Sequence, residues 1–456
     1  MRTSSLLLFL LLASFQCIAT PKYNAELVQE LCSAAQYQEN YNTQYTKYMY
    51  PLVLDTRAGI WMTGGQRELS QEIDQESVLE FKRFINSVEA RFNATIVLAL
   101  APPRTLEHDR WSNGEYASKQ ELHKRYQSII KLFRQSGIHA PDLSRGIDDV
   151  KPSYFFQRDV HWRPEGARHA AYAIKEYLQT SGILDQLPKS DIEFITKQVG
   201  ESQLSKSTFN RVLKSVCGYS FIDESSIRYE TASKAELDLF DTSEPDIYML
   251  GTSYSKVPLF NFEGFLKEAL QRDVTNLAVS GGGEYGAWLE LLQANDESNS
   301  THKIIIWELL SYYNPTDHET LKHLIPMVND GCNKQQKLNS FSSTIHDRHK
   351  KELIFSPNLL NYYPSQLTVD LQTDVSDTKS LKLLIWHESG HKTKVYLSST
   401  RNRHKNGRFV FELAQKQSDE LGRILAVDLL DVESNSQPIT QINGSVCLST
   451  VGGNAS

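Results

Sequence analysis

Three segments of the chain are apolar at nearly every position: residues 95–103 (TIVLALAPP), 246–251 (DIYMLG) and 303–310 (KIIIWELL). A strand with one face in water alternates polar and apolar residues. Unbroken runs therefore predict strands covered on both faces, as in a parallel sheet flanked by helices. Helical spacing lies between them. It is clearest over 164–178, where Ala167, Ala171, Ile174 and Leu178 share one face and Pro164 suits the first turn. Strands alternating with helices predict an α/β domain continuing to about residue 340.

Past Gln335 the pattern changes. Short alternating stretches such as LKLLIWHE, TKVYLSST and GRFVFEL, punctuated by Asn, Ser, Gly and Asp, predict a β-sandwich or jelly roll over residues 341–456. The polar run 333–339 (NKQQKLN) is the expected linker, and no internal repeat is visible. Tyr37, Tyr41, Tyr45 and Tyr48 recur at near-helical spacing; such a row is either a sugar-stacking surface or an aromatic helix face packed on the body, and packing is the preferred reading.

At the N-terminus Arg2, an apolar stretch from Leu6 to Ala13 and small residues near Ala19 predict a secretory signal peptide, residues 1–19. Gln16 ahead of Cys17 argues against a lipid anchor. No later apolar run approaches the ~20 residues needed to cross a bilayer, so a soluble, exported protein without a membrane span is expected. Composition agrees: 456 residues that are 40% hydrophobic and 23% charged suit a globular chain of roughly two or three domains and exclude wholesale disorder. A net charge of −7 excludes general nucleic-acid binding, because counterion release needs many phosphates met by Lys or Arg.

Cleavage after Ala19 removes Cys17 and leaves Cys32, Cys217, Cys332 and Cys447. An even count in an oxidising compartment favours two disulfides, with three connectivities open. Pairing Cys32 with Cys217 and Cys332 with Cys447 would close one large domain and one C-terminal domain, and is the pairing expected. No two cysteines stand at metal-ligand spacing, so no metal site is expected. Four N-x-S/T sequons begin at Asn93, Asn299, Asn443 and Asn454 and bear on structure only in a host that glycosylates.

The run ending at Gly251 continues Gly251-Thr252-Ser253-Tyr254-Ser255 into a helix-compatible stretch. A serine on a tight strand-to-helix turn is presented at the carboxyl edge of the sheet, where following N–H groups, such as that of Tyr254, can stabilise an oxyanion. By itself a short G-T-S match is equally an ordinary turn. Upstream lies Asp159-Val160-His161-Trp162, just ahead of the Pro164 helix. A serine hydroxyl needs an imidazole to take its proton, and the imidazole needs a carboxylate to fix its tautomer. Asp159 and His161, two apart in a loop, can supply both, although a lone D-x-H is also a common surface loop. Gly281-Gly282-Gly283 follows another strand-like segment and is either a flexible turn or a further source of backbone donors, with Gly282 the candidate.

Taken together these segments resemble the alginate O-acetyltransferase family of the AlgX and AlgJ type. The matching residues are Asp159-Val-His161-Trp162-Arg-Pro164-Glu-Gly166-Ala167, Gly251-Thr-Ser253-Tyr-Ser255, Asn261-Phe-Glu-Gly264-Phe-Leu and Trp307-Glu308, with Gly59-Ile-Trp61 and Leu69 earlier. The resemblance covers nearly the whole mature chain. It implies a permuted SGNH hydrolase-like domain, residues 20–340, followed by a β-sandwich carbohydrate-binding module, with two intradomain disulfides. It also implies Ser253 as nucleophile, His161 as general base and acid, and Asp159 as orienting carboxylate. The chain departs from the family after Trp307-Glu308, reading Leu309-Leu310-Ser311-Tyr312-Tyr313 where a Pro and an Arg usually follow. That departure leaves the triad intact and bears on the shape of the donor or acceptor site.

His387-Glu388-Ser389-Gly390-His391 satisfies H-E-x-x-H, but zinc chemistry of that type needs a helix, and Gly390 between strand-like segments predicts a hairpin instead. Between Gly390 and Phe409 lie Lys392, Lys394, Arg401, Arg403, Lys405 and Arg408 with no Asp or Glu. Such a stretch is a solvated loop or a local polyanion site. Lys382 and Trp386 match, at the same separation, a Lys and a Trp of the polymer-binding groove in the resembling modules. The expected activity is periplasmic O-acetylation of an anionic exopolysaccharide, alginate by the resemblance, with other polymer acetylation and export proteins as partners. No metal or nucleotide cofactor is expected, and the acetyl donor is left open. Two rivals stand beside it: a secreted SGNH-type acetylesterase and a non-catalytic scaffold that guides polymer.

Overall fold

The computed structural model describes residues 31–43, 45–55, 61–64, 73–107, 119–205, 207–234, 245–293, 301–346, 351–399, 406–413 and 418–449. The expected signal peptide, the sequons at Asn299 and Asn454, Gly59, Leu69, Arg401, Arg403 and Lys405 lie outside them. A short antiparallel ribbon, β1 (Leu52–Asp55) with β2 (Trp61–Gly64), precedes the main sheet. That sheet contains β3 (Ala94–Ala101), β6 (Ile247–Leu250), β7 (Thr275–Asn276) and β8 (Lys303–Leu310), all parallel in the order β3-β8-β6-β7. A second antiparallel ribbon, β4 (Phe194–Gln203) with β5 (Ser225–Ser233), is inserted before β6.

β3 and β8 are buried at every position, as their unbroken apolar runs predict. Alternate residues of the same strands feed two cores. Val97, Ala99, Ile304 and Ile306 join the helices Pro164–Thr180, Thr208–Cys217 and Phe262–Leu270. Ile96, Leu98, Ile305 and Trp307 join the helices Gln75–Phe92, Lys119–Gln135 and His318–Val328. Trp307 lies within 5.7 Å, centroid to centroid, of Phe81, Trp288 and Tyr285. Full burial of each Phe-sized ring contributes about 1.5–3 kcal/mol. Ala167, Ala171, Ile174 and Leu178 all face inward, as their spacing predicts.

The C-terminal part is a sandwich of two four-stranded antiparallel sheets. Its strands are β9 (Lys337–Thr344), β10 (Lys351–Phe355), β11 (Leu367–Thr373), β12 (Thr378–His387), β13 (Lys392–Ser398), β14 (Arg408–Glu412), β15 (Ile424–Ser434) and β16 (Gln441–Leu448), ordered β10-β15-β12-β13 and β14-β11-β16-β9. The expected linker 333–339 is corrected here, because its last residues already form β9. β9 is an edge strand paired on one side with β16, and its polar residues face water, so its sequence carries little apolar signal.

The two cysteine pairs are bonded as expected, Cys32 to Cys217 and Cys332 to Cys447. They close loops of 185 and 115 residues, each bridge contributing roughly 2–5 kcal/mol. The tyrosine row is a third outcome, not a helix face. Short 3-10 turns bury Tyr41, whose hydroxyl donates to Ala35 O at 3.1 Å, and leave Tyr37, Tyr45 and Tyr48 exposed. The domains meet where β14 packs on the helix His318–Val328. There Arg83 pairs with buried Glu412, and His318 Nδ1 lies 2.9 Å from Glu80. Among the described residues no helix is long and apolar enough to cross a membrane.

Candidate active site

His161 and Asp159 are carried by a loop folded back on itself through the bridge Phe155–Trp162. Arg163 N donates to Tyr154 O at 2.8 Å, and a Cβ on Gly166 would fall 2.2 Å from that same carbonyl oxygen, so the helix can start there only on glycine. So short a ladder needs outside support, and two carboxylates supply it. Glu107 accepts from Tyr154 N and Phe155 N at 2.6 and 2.9 Å, and Glu224 from Gln157 N and Arg158 N at 3.0 and 2.7 Å. Burial pushes the Glu107 carboxyl up to about 7, against the pull of its two backbone donors. Beneath the loop, buried Arg104 donates to Phe156 O at 2.6 Å and stacks between Trp61 and Phe209. Trp61, singled out by the sequence, therefore ends beside the loop, and Met62 N donates to Gln157 O at 2.8 Å.

Asp159 Oδ1 accepts from the His161 backbone N–H at 2.9 Å and pairs with the ring Nδ1. Its Oδ2 accepts from Thr208 N, the first amide of the helix Thr208–Cys217, whose positive end suits a carboxylate. Burial alone would push this carboxyl up. The charge of His161 and the N–H donors outweigh it and hold the carboxyl at about 2. With Nδ1–H committed to Asp159, Nε2 is the acceptor. It lies 2.8 Å from Ser253 Oγ. The ring is held between Tyr254 and Phe260, each centroid 4.9 Å away.

Ser253 begins the short helix Ser253–Lys256 where β6 ends. Thr252 caps it, with Oγ1 accepting from Tyr254 N at 3.2 Å. Trp162 Nε1 donates to Tyr254 O at 3.1 Å, and Asn276 Nδ2 to Ser255 O at 2.9 Å. Glu308, fully buried on β8, lies under the turn and accepts from Thr252 N at 2.8 Å and from the Thr252 and Ser255 hydroxyls at 3.0 Å. A Cβ on Gly251 would fall 2.6 Å from Glu308 Oε2, so only glycine lets the turn sit this close to the carboxylate. Of the two amides named as oxyanion donors, Tyr254 N–H stands in the first helical turn beside Ser253. Gly282 N–H donates to Val279 O at 3.2 Å within its own loop.

Residues 63–311, more than half of the chain, match the family model of the SGNH hydrolase-like domain, acetyltransferase AlgX. The chain belongs to the AlgX family. Residues 331–456 match a C-terminal carbohydrate-binding module. The alginate biosynthesis protein AlgX of Pseudomonas aeruginosa is 28% identical over 465 residues, covering 98% of this chain and 96% of that protein. The probable alginate O-acetylase AlgJ of the same organism is 30% identical over 245 residues, 49% of this chain and 60% of that protein. The solved structure of P. aeruginosa AlgX superposes with a TM-score of 0.73 at 26% identity, covering 92% of this chain and 99% of that one. An SGNH hydrolase-like domain followed by a carbohydrate-binding module, as the sequence implies, is the architecture of this AlgX-family chain.

On the module, Lys382, Trp386 and Lys392 lie on one exposed face, with Trp386 opposite Lys392 in the β12–β13 register. None of the three is an isolated cation or ring. Lys382 Nζ pairs with Asp431 at 3.1 Å, Trp386 Nε1 donates to Asp428 at 2.8 Å, and Lys392 Nζ lies 4.0 Å from the Trp386 ring centre. The H-E-x-x-H segment is the β12–β13 hairpin, as predicted, with His387 N donating to His391 O and Gly390 at φ +82°. No group of metal-ligating side chains is found among the described residues.

Sequence reasoning gave no role to Glu107, Glu224 or Glu308. Glu308 did carry a signal: an acid inside the run KIIIWELL, where every neighbour is apolar. Glu224 carried none, being 66 residues from the amide of Arg158 that it holds.

Proposed function

We propose that this chain is an exported O-acetyltransferase that moves an acetyl group through Ser253 onto hydroxyls of an anionic exopolysaccharide, alginate in its polymannuronate form. The observation that carries this reading is the continuous chain from Asp159 through His161 to Ser253 Oγ, 2.8 Å from His161 Nε2, at the carboxyl edge of the sheet. As Ser253 Oγ attacks the acetyl carbonyl, its proton passes to Nε2, and the ionised Asp159 stabilises the imidazolium. The developing oxyanion falls to the amide of Ser253, which opens a helix and so has no intrahelical acceptor, whereas the Tyr254 amide named beside it is already given to Thr252 Oγ1 at 3.2 Å. Collapse expels the donor's oxygen, which takes the proton from Nε2 and leaves acetyl-Ser253. A sugar hydroxyl then gives its proton to His161 and attacks the acetyl carbon, and Ser253 recovers its proton as it leaves. None of these steps draws on a metal or a nucleotide cofactor.

Two features support a polymeric acceptor and an exported protein. The carbohydrate-binding module places Trp386 and two lysines on one open face, and both disulfides are formed, which suits the periplasm. Other acetylation and export proteins are the partners this reading implies. The test incubates the chain with an acetyl-ester donor and polymannuronate. Acetyl on the polymer supports transfer, free acetate alone would make it an esterase, and unchanged turnover in Ser253→Ala would leave the scaffold.

A further inference from the structure

Glu308 occupies a position where physical chemistry favours an apolar side chain. Its face neighbours Ile304, Ile306 and Leu310 belong to the apolar core, and it is itself fully buried. A buried carboxylate without a cationic partner is costly, and a well-packed apolar residue would be more stable. Its hydrogen bonds run to the turn that carries Ser253: to Thr252 N, to Thr252 Oγ1 and to Ser255 Oγ.

We propose that Glu308 is a positioning residue for the nucleophile, acting as a carboxylate that takes the donors of the turn and so sets the direction in which Ser253 Oγ meets His161. The inference rests on the reading of Ser253 as nucleophile. An ionised carboxylate only accepts. It obliges the Thr252 hydroxyl to donate downward, which leaves that oxygen's lone pair to hold Tyr254 N–H at 3.2 Å. An amide in its place turns one oxygen into a donor and removes that obligation.

The groups against Glu308 are Gly251, Thr252 and Ser255 of the turn and Ala99 across the sheet, and the group whose charge reaches it is His161. Burial pushes the Glu308 carboxyl up to about 7, against the pull of its hydrogen bonds and of His161. The folded state therefore holds a proton that the unfolded chain releases at lower pH. The stability due to that proton is complete below the ordinary value of 4.5 and is lost as pH rises through about 7. Ionised Glu308 thus works against the fold at alkaline pH, which separates a positioning role from a merely structural one.

The experiment compares Glu308→Gln, Thr252→Val, Thr252→Ser and Ser253→Ala as full-length, disulfide-bonded proteins. It reads turnover of p-nitrophenyl acetate and thermal midpoints at about pH 5 and about pH 8. Glu308→Gln is expected to lose about tenfold to a hundredfold in kcat with KM within about twofold. Its midpoint should match or exceed that of the unsubstituted protein near pH 8, and the excess should vanish near pH 5. Thr252→Val should reproduce the loss and Thr252→Ser should recover most of the rate. An unchanged kcat in Glu308→Gln would overturn the proposal. So would a loss matched by lowered midpoints in both Glu308→Gln and Thr252→Val. Full turnover in Ser253→Ala would remove the nucleophile reading and this inference with it, whereas an inactive Ser253→Ala beside a fully active Glu308→Gln would reject the positioning role alone.

Discussion

Asp159 and Lys382 are both charged residues on which the functional reading depends, and their settings are opposite. Asp159 is buried, its oxygens engaged by His161 and by the first amide of a helix, and its carboxyl is held at about 2. Lys382 stands in water on a sheet face, paired with Asp431 across the strands. The loop that carries Asp159 and His161 is likewise fixed from below by Glu107, Glu224 and Arg104, whereas Trp386 is flanked by Asp428 and Lys392 on an open surface. Low dielectric and the hydrogen bonds of buried carboxylates make the first region rigid and unforgiving. Solvent and salt make the second adjustable, which suits the proposed role of holding and releasing a long polyanion.

The comparison breaks if substitutions in the two regions cost alike. The largest effect expected is from Ser253→Ala and His161→Ala, each lowering acetyl-ester turnover by roughly a thousandfold or more, with the losses not adding in the double variant. Asp159→Asn should cost less in rate but also weaken the fold. The lowered pKa of Asp159 contributes about 2 kcal/mol, present above the ordinary value of 3.8 and lost as pH falls through about 2. Melting curves should therefore show Asp159→Asn below the unsubstituted protein at neutral pH, with the gap closing in strong acid.

Next comes Gly251→Ala, whose Cβ would force the turn off Glu308 and should lower kcat by about a hundredfold while circular dichroism stays unchanged. Trp386→Ala should weaken retention of the chain on immobilised polymannuronate by about tenfold without altering ester turnover, because it removes the ring that orders Lys392. The smallest effect belongs to Lys382→Ala. Since this lysine is already paired and exposed, binding should fall by about threefold or less near 0.15 M salt, and by more at low salt. A Lys382→Ala loss that exceeds the Trp386→Ala loss would contradict the paired arrangement on this face.

What the sequence disclosed follows the same division. β3, β6 and β8 were legible because strands covered on both faces leave unbroken apolar runs, and the helix Pro164–Thr180 because its apolar residues repeat at helical spacing. Asp159, His161 and Ser253 stood out as short motifs, and the order of those motifs carried the family resemblance. β9 was hidden, since an edge strand with a wet face reads as a polar linker. The carboxylates that hold the loop were hidden too: Glu107 lies 47 residues from the amide of Tyr154, and no local pattern links them. The pairing of Lys382 with Asp431 spans 49 residues and depends on strand register, which alternation alone does not fix.

The most direct test of the account is to find where an acetyl group resides during turnover. The full-length chain would be mixed briefly with an isotopically labelled acetyl ester, quenched and digested, and the labelled peptide identified by mass spectrometry, with a parallel sample chased by unlabelled polymannuronate before quenching. The account predicts label on Ser253, its absence in Ser253→Ala, and its movement onto polymer hydroxyls during the chase. Label that never appears on Ser253, or polymer acetylation that proceeds undiminished in Ser253→Ala, would contradict it.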